Sequence, residues 1–92
     1  MSQKRVHLFV RGKVQGVFFR QGMKDIADVK NVRGWVKNLP DKRVEAVLEG
    51  KDIDVNTVIE WSGVGPPKAV VENVENINEN YKGEFSNFEI LY

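Results

Sequence analysis

Val6, Leu8 and Val10 alternate with His7, Phe9 and Arg11, the period-two pattern of a strand with one buried face. This predicts strand one over Arg5–Arg11, after a polar tail, 1–4, expected to fray. Beyond a glycine-containing stretch the period lengthens. Phe19, Met23, Ile26 and Ala27 fall at i, i+4, i+7 and i+8, one apolar stripe of a helix running from about Arg20 to Val29. Gly22 weakens its first turn by roughly 1 kcal/mol relative to alanine, and Asn31 follows as a left-handed C-terminal residue. Val32–Asn38 reads as strand two and Arg43–Glu49 as strand three, joined by a turn over Leu39–Lys42 and closed by Gly50. Asp52 or Asp54 caps a second helix, with Val55, Val58, Ile59 and Ser62 on one face and Trp61 as a core plug at its margin. Gly63, Gly65, Pro66 and Pro67 stop it. Ala69–Val74 predicts strand four, where Val71 and Val74 break the alternation and point to a bulge or an early end. The charged, asparagine-rich segment Glu75–Glu84 reads as a solvated loop, and Phe88, Ile90 and Tyr92 as a final short strand.

The order strand, helix, strand, strand, helix, strand, plus one appended strand, predicts a two-layer α+β domain. A right-handed crossover makes strands one and two parallel, so both end on the same edge of the sheet. The loop after strand one and Asn38 at the end of strand two are therefore expected to converge, on the edge where such sheets bind ligands.

Composition narrows the chemistry. With 92 residues and 41% hydrophobic content, one domain with a modest core is expected. No apolar run is long enough to span a bilayer and the start lacks a signal peptide's apolar stretch, so a cytoplasmic protein with no membrane partner is expected; a monomer is the accompanying expectation, on which the sequence itself is silent. With no cysteine there is no thiolate nucleophile and no cysteine metal site. His7 is the single histidine and lies on the sheet face opposite the core pattern, which makes it a structural or surface residue. A net charge of +1 gives no broad field for nucleic acid. A charged ligand would have to be small and held locally.

Gly12-Lys13-Val14-Gln15-Gly16-Val17-Phe18-Phe19-Arg20 supplies the local means. Two glycines let consecutive N–H groups turn toward one point. Arg20 stands where the turn enters the helix, whose first amides are unpaired and carry positive dipole. Loop donors, a helix start and a guanidinium describe a seat for a small dianion. The same glycines also suit a plain strand-to-helix turn. The stretch lacks the Gly-Lys-Ser/Thr ending and the third glycine of nucleotide motifs.

Two separated pieces carry a resemblance that covers essentially the whole chain. Val14-Gln15-Gly16-Val17-Phe18-Phe19-Arg20 is similar to the phosphate loop of the acylphosphatase family, and Gly34-Trp35-Val36-Lys37-Asn38 to its second signature. Gly65-Pro66-Pro67 and Ser86-Asn87-Phe88 extend the similarity. One departure is Asn31, where the family has a glycine. The resemblance implies a ferredoxin-like sandwich, an antiparallel-dominated sheet with two helices on one face. It also implies hydrolysis of the carboxyl–phosphate bond of acyl phosphates without metal or cofactor. The backbone of Gln15, Gly16, Val17, Phe18, Phe19 and Arg20 would bind the phosphoryl group, Arg20 would grip it, and Asn38 would orient the attacking water.

The residues suit that chemistry. An acyl phosphate expels a carboxylate, conjugate acid pKa roughly 4, which leaves without a protonating acid. A leaving group near pKa ~16 would need an acid or a metal. An asparagine is no base, but it can hold water in line by accepting and donating at once; alone, Asn38 would equally suit a strand-end turn. Two other readings compete. The RNA recognition motif shares the element order, and Leu8-Phe9-Val10-Arg11-Gly12 is somewhat similar to its first signature, yet strand three offers no aromatic for base stacking. A non-catalytic member of the same fold would bind the anion without turnover.

Overall fold

The computed structural model describes residues 2–92. Seven elements follow in order: β1 (Gln3–Lys13), α1 (Phe19–Val29), β2 (Arg33–Asn38), β3 (Val44–Lys51), α2 (Asp52–Ser62), β4 (Val70–Glu79) and β5 (Phe88–Ile90). The strands form one sheet ordered β4-β1-β3-β2-β5. Three ladders are antiparallel, and β5 pairs parallel with β2, so the sheet is mixed. Both β1 and β2 run antiparallel to β3, which makes them parallel to each other and brings their C-terminal ends to one edge, as the crossover argument requires.

Val6, Leu8 and Val10 of β1, Val44, Ala46 and Leu48 of β3, and Val36 of β2 face the helices and are buried with Phe19, Met23 and Ala27 of α1 and Val55 and Val58 of α2. A fully buried side chain of this kind contributes about 1.5–3 kcal/mol. Trp61 packs at the rim of this core, its ring centroid 5.2 Å from that of Phe19. His7 lies on the open face, with Nε2 2.7 Å from Glu45 and its ring stacked 4.7 Å from Phe9.

Several predicted boundaries move. β1 continues to Lys13, which pairs with Val70, and begins at Gln3, so Gln3 and Lys4 of the tail expected to fray are strand; β3 runs to Lys51 because Gly50 pairs with Lys4 in extended backbone instead of ending the strand. α2 is preceded by Lys51, with no side-chain cap; Asp52 and Asp54 fall inside the first turn, where they meet the helix dipole. Asn31 does take left-handed backbone (φ 56°), and the N–H of Val32 reaches the carbonyl of Ala27, the expected C-terminal closure of α1.

The largest correction concerns 75–84. The first half of this segment is strand, since β4 runs to Glu79 and every residue of Glu75–Glu79 pairs with β1. Asn and Glu are poor strand formers in isolation. Here cross-strand partners override that preference: Arg5 lies opposite Glu79, and its Nε donates to that carboxylate at 2.8 Å. The irregularity read from Val71 and Val74 is a bulge, since the register shifts between Arg11 and Gly12 and leaves Glu72 without a partner. Gly12 serves this contact and lies within β1: φ is 126°, and a Cβ there would sit 2.1 Å from the Val70 carbonyl oxygen. Its freedom belongs to the sheet, not to the anion loop.

From β4 the chain crosses to β5 through 80–87 and is pinned on the way. The N–H groups of Lys82, Gly83 and Glu84 donate to the Glu49 carboxylate, which also pairs with Arg5 at 3.1 Å. This clamp fixes where β5 lands beside β2, and so where the chain after Ile90 points.

Candidate active site

The stretch between β1 and α1 turns through two left-handed residues, Gly16 (φ 73°) and Phe18 (φ 66°), with Val17 between them on the ordinary side. Alternating backbone of this kind tips successive N–H groups toward a common concavity. At Gly16 the conformation selects glycine. Phe18 adopts it with a bulky side chain, which costs of order 1–3 kcal/mol and occurs mainly at functional sites. Phe18 is the residue before the helix; its carbonyl accepts the N–H of Gly22, and no side chain caps the turn. The helix itself begins at Phe19, one residue earlier than expected, so Arg20 is its second residue and falls in the first turn, whose amides have no partner within the helix.

Val14, Gly16, Phe18, Phe19, Arg20, Gln21, Asn38, Ile90 and Tyr92 enclose a cavity of about 420 Å³. Arg20 and Asn38, distant in sequence, thus share one space. Arg20 is the single charged side chain in the lining, and it forms no ion pair among the described residues. Its guanidinium carbon stands 5.0 Å from the centroid of the Tyr92 ring, a cation–π contact. Asn38 ends β2; its Oδ1 is buried and accepts no hydrogen bond among the described residues. An unpaired buried acceptor costs about 1–3 kcal/mol, which a hydrogen-bonded occupant of the cavity would recover.

The remaining predicted loop residues divide. Gly16, Phe18 and Phe19 line the cavity; Gln15 and Val17 do not. Val17 is buried in the core, and Phe19 reaches both the core and the cavity wall. The Gln15 side chain turns to the β2–β3 connection, donating to the carbonyls of Leu39 at 2.9 Å and Arg43 at 3.0 Å. Phe18 is 80% exposed and walls the opening.

Ile90 and Tyr92 were read from sequence as strand residues only. The parallel β2–β5 ladder ends with Val36 opposite Ile90 and the N–H of Leu91 on the Val36 carbonyl, which directs the chain beyond β5 toward the Asn38 end of β2. The strand stops at Ile90, and Tyr92 turns over Arg20. The signal lay in the direction of β5, which alternation does not reveal. Among the described residues no group of three or more His, Cys, Asp or Glu side chains is placed to hold a metal ion. Val47 and Glu45 are what β3 presents on the open face beside His7 and Phe9, so the base-stacking reading is not favoured.

The acylphosphatase family model matches residues 6–90. An acylphosphatase of Pyrobaculum arsenaticum is 62% identical over 92 residues, covering 99% of this chain and 97% of the relative. The crystal structure of acylphosphatase from Bacillus subtilis superposes with a TM-score of 0.93 at 31% identity, over 97% of this chain and 99% of that one. The structure of an acylphosphatase from Coxiella burnetii does so with a TM-score of 0.91 at 37% identity, over 97% and 93%. On this agreement of motif, fold and overall length, the chain belongs to the acylphosphatase family of acyl phosphate hydrolases.

Proposed function

We propose that the cavity hydrolyses small acyl phosphates without a metal, with the loop amides and Arg20 holding the phosphoryl group and Asn38 aiming the water. The observation that carries this reading is the shared cavity of Arg20 and Asn38. The phosphoryl oxygens sit against the backbone N–H groups of Gly16–Arg20, at the positive end of α1 and beside the guanidinium fork. Gln15 precedes this set without lining the cavity, its side-chain amide held by the β2–β3 connection.

Water, bonded to the Asn38 amide, attacks phosphorus from the side opposite the acyl oxygen. The new P–O bond forms as the bond to the acyl oxygen breaks, and that electron pair leaves on the carboxylate. One proton of the water passes to a phosphoryl oxygen, so the products are a carboxylate and dihydrogen phosphate. No acid is required for a leaving group whose conjugate acid has a pKa of roughly 4. Charge stabilisation and alignment account for the acceleration.

The protein acts as a monomer in the cytoplasm and takes no nucleic acid. The absence of cysteine suits a reducing compartment and a net charge of +1 gives no broad field for nucleic acid, and no helix among the described residues is long and apolar enough to cross a membrane. The test is phosphate release from acetyl phosphate in the presence of a chelator, with a phosphate monoester as control. Release from the acyl phosphate alone is expected. A protein that binds phosphate and releases none is an anion sensor, and equal release from the ester refutes the leaving-group argument.

A further inference from the structure

The geometry points to Gln15 as a positioning residue that sets Asn38 relative to the bound phosphoryl group. This inference rests on the hydrolase reading above and assigns a role to a side chain that does not line the cavity.

Gln15 sits inside the loop, immediately before Gly16, yet its amide leaves the loop entirely. Both Nε2 protons are used: one reaches the carbonyl of Leu39 and the other the carbonyl of Arg43. Those two carbonyls form the neck of the β2–β3 hairpin. The N–H of Leu39 donates to the same Arg43 oxygen at 2.8 Å, and the N–H of Lys42 to the same Leu39 oxygen at 3.2 Å. One primary amide therefore ties together the loop and both arms of the neck. Leu39 is covalently next to Asn38, so the tether acts one peptide away from the residue that aims the water.

Within the sheet the loop and Asn38 are joined only indirectly, and α1, which follows the loop, packs on β2 through side chains. β1, which feeds the loop, and β2, which ends in Asn38, are separated by β3 and share no ladder. Gln15 is the direct polar link between the loop and the residue following Asn38. Phosphate is gripped from one side of this link and water from the other. Without it, each half keeps its own fold while the distance between them loosens. Misplacement by about 1 Å can cost up to 10²-fold in rate.

The test is a double-mutant cycle on kcat with acetyl phosphate, using Gln15→Ala, Gln15→Met and Asn38→Ala, with inhibition by inorganic phosphate measured alongside. Gln15→Met keeps the length and stem packing of the side chain and removes only the donors, so it covers a failure of Gln15→Ala to fold. Each Gln15 variant is expected to lower kcat about tenfold while the phosphate inhibition constant stays within about twofold of wild type. In the Asn38→Ala background the same substitutions are expected to cost less than about twofold, because the group being positioned is gone. Full kcat in Gln15→Met would show that packing, not the hydrogen bonds, matters, and would overturn the proposal. Equal losses with and without Asn38 would overturn it as well. A wild-type protein that releases no phosphate would overturn the hydrolase reading and this inference with it, an outcome distinct from an active enzyme with additive losses.

Discussion

The Arg20 guanidinium lies over the Tyr92 ring, its central carbon 5.0 Å from the ring centroid. Tyr92 is otherwise almost fully exposed, at 99%. The contact orients the fork and does little else. A cation–π pair at such an exposed site contributes about 0.5–1 kcal/mol. Tyr92→Ala is therefore expected to weaken phosphate inhibition by roughly 2- to 5-fold and to leave the melting temperature nearly unchanged. Isothermal titration with inorganic phosphate together with a thermal melt checks both.

Arg20→Lys removes the planar fork while keeping the charge. A point charge on a flexible stem does not reproduce two parallel donors to a phosphoryl group. The expected loss in kcat/KM is about 10²–10³-fold, the range for removing a preorganised charge-stabilising donor. Steady-state kinetics on acetyl phosphate reads it, and retention of more than about a third of the activity would contradict the assignment.

Gly22 separates propensity from packing. In isolation alanine would favour the helix by roughly 1 kcal/mol. A Cβ at this position would lie 2.6 Å from Cζ2 of Trp61, whose ring packs against Phe19. Overpacking a fitted site costs about 1–3 kcal/mol, so it wins. Gly22→Ala is expected to destabilise by about 1 kcal/mol, a fall of roughly 4–8 °C in melting temperature. A rise in melting temperature would show that the Trp61 ring yields freely.

The same position shows what was legible in the chain and what was not. Val6, Leu8 and Val10 declared β1 because their alternation is a local property, and Phe19, Met23 and Ala27 declared α1 in the same way. Gly22 read as a weakness because its reason, a ring from α2, lies in the tertiary structure. The second half of β4 was missed for a like cause: Glu75–Glu79 is strand through its partners on β1, not through its own residues. The motifs and the crossover rule together expect Arg20 and Asn38 on one edge of the sheet, and both line the same cavity. Tyr92 was missed as a cavity residue because its place depends on β5 pairing parallel to β2. Gln15 was read for its backbone, since no sequence pattern tells where a side-chain amide turns.

The Glu49 clamp makes stability depend on acid. Burial pushes the Glu49 carboxyl up, but the N–H groups of Lys82, Gly83 and Glu84 and the Arg5 guanidinium outweigh it and hold it below its ordinary value of 4.5. Arg5 likewise holds Glu79 below 4.5. Carboxyls depressed in the folded state contribute stability above the unfolded value and lose it as pH falls from 4.5 through the depressed one. Melting temperature is thus expected to hold from neutral pH down toward 4.5 and to fall as the pH drops below it. Glu49→Gln sets a donor against the loop amides at a site only 3% exposed, with an expected cost of about 3 kcal/mol at pH 7. It should also show a shallower further fall in acid, measured by melts across that range.

The central claim is a division of labour between two residues that share a cavity, Arg20 for the phosphoryl group and Asn38 for the water. Asn38→Ala tests it most directly, with kcat on acetyl phosphate measured beside the inhibition constant of inorganic phosphate. The account predicts a fall in kcat of about 10²-fold with the inhibition constant within about twofold of wild type. Near-normal turnover, or a loss of phosphate affinity as large as the loss of rate, would contradict it.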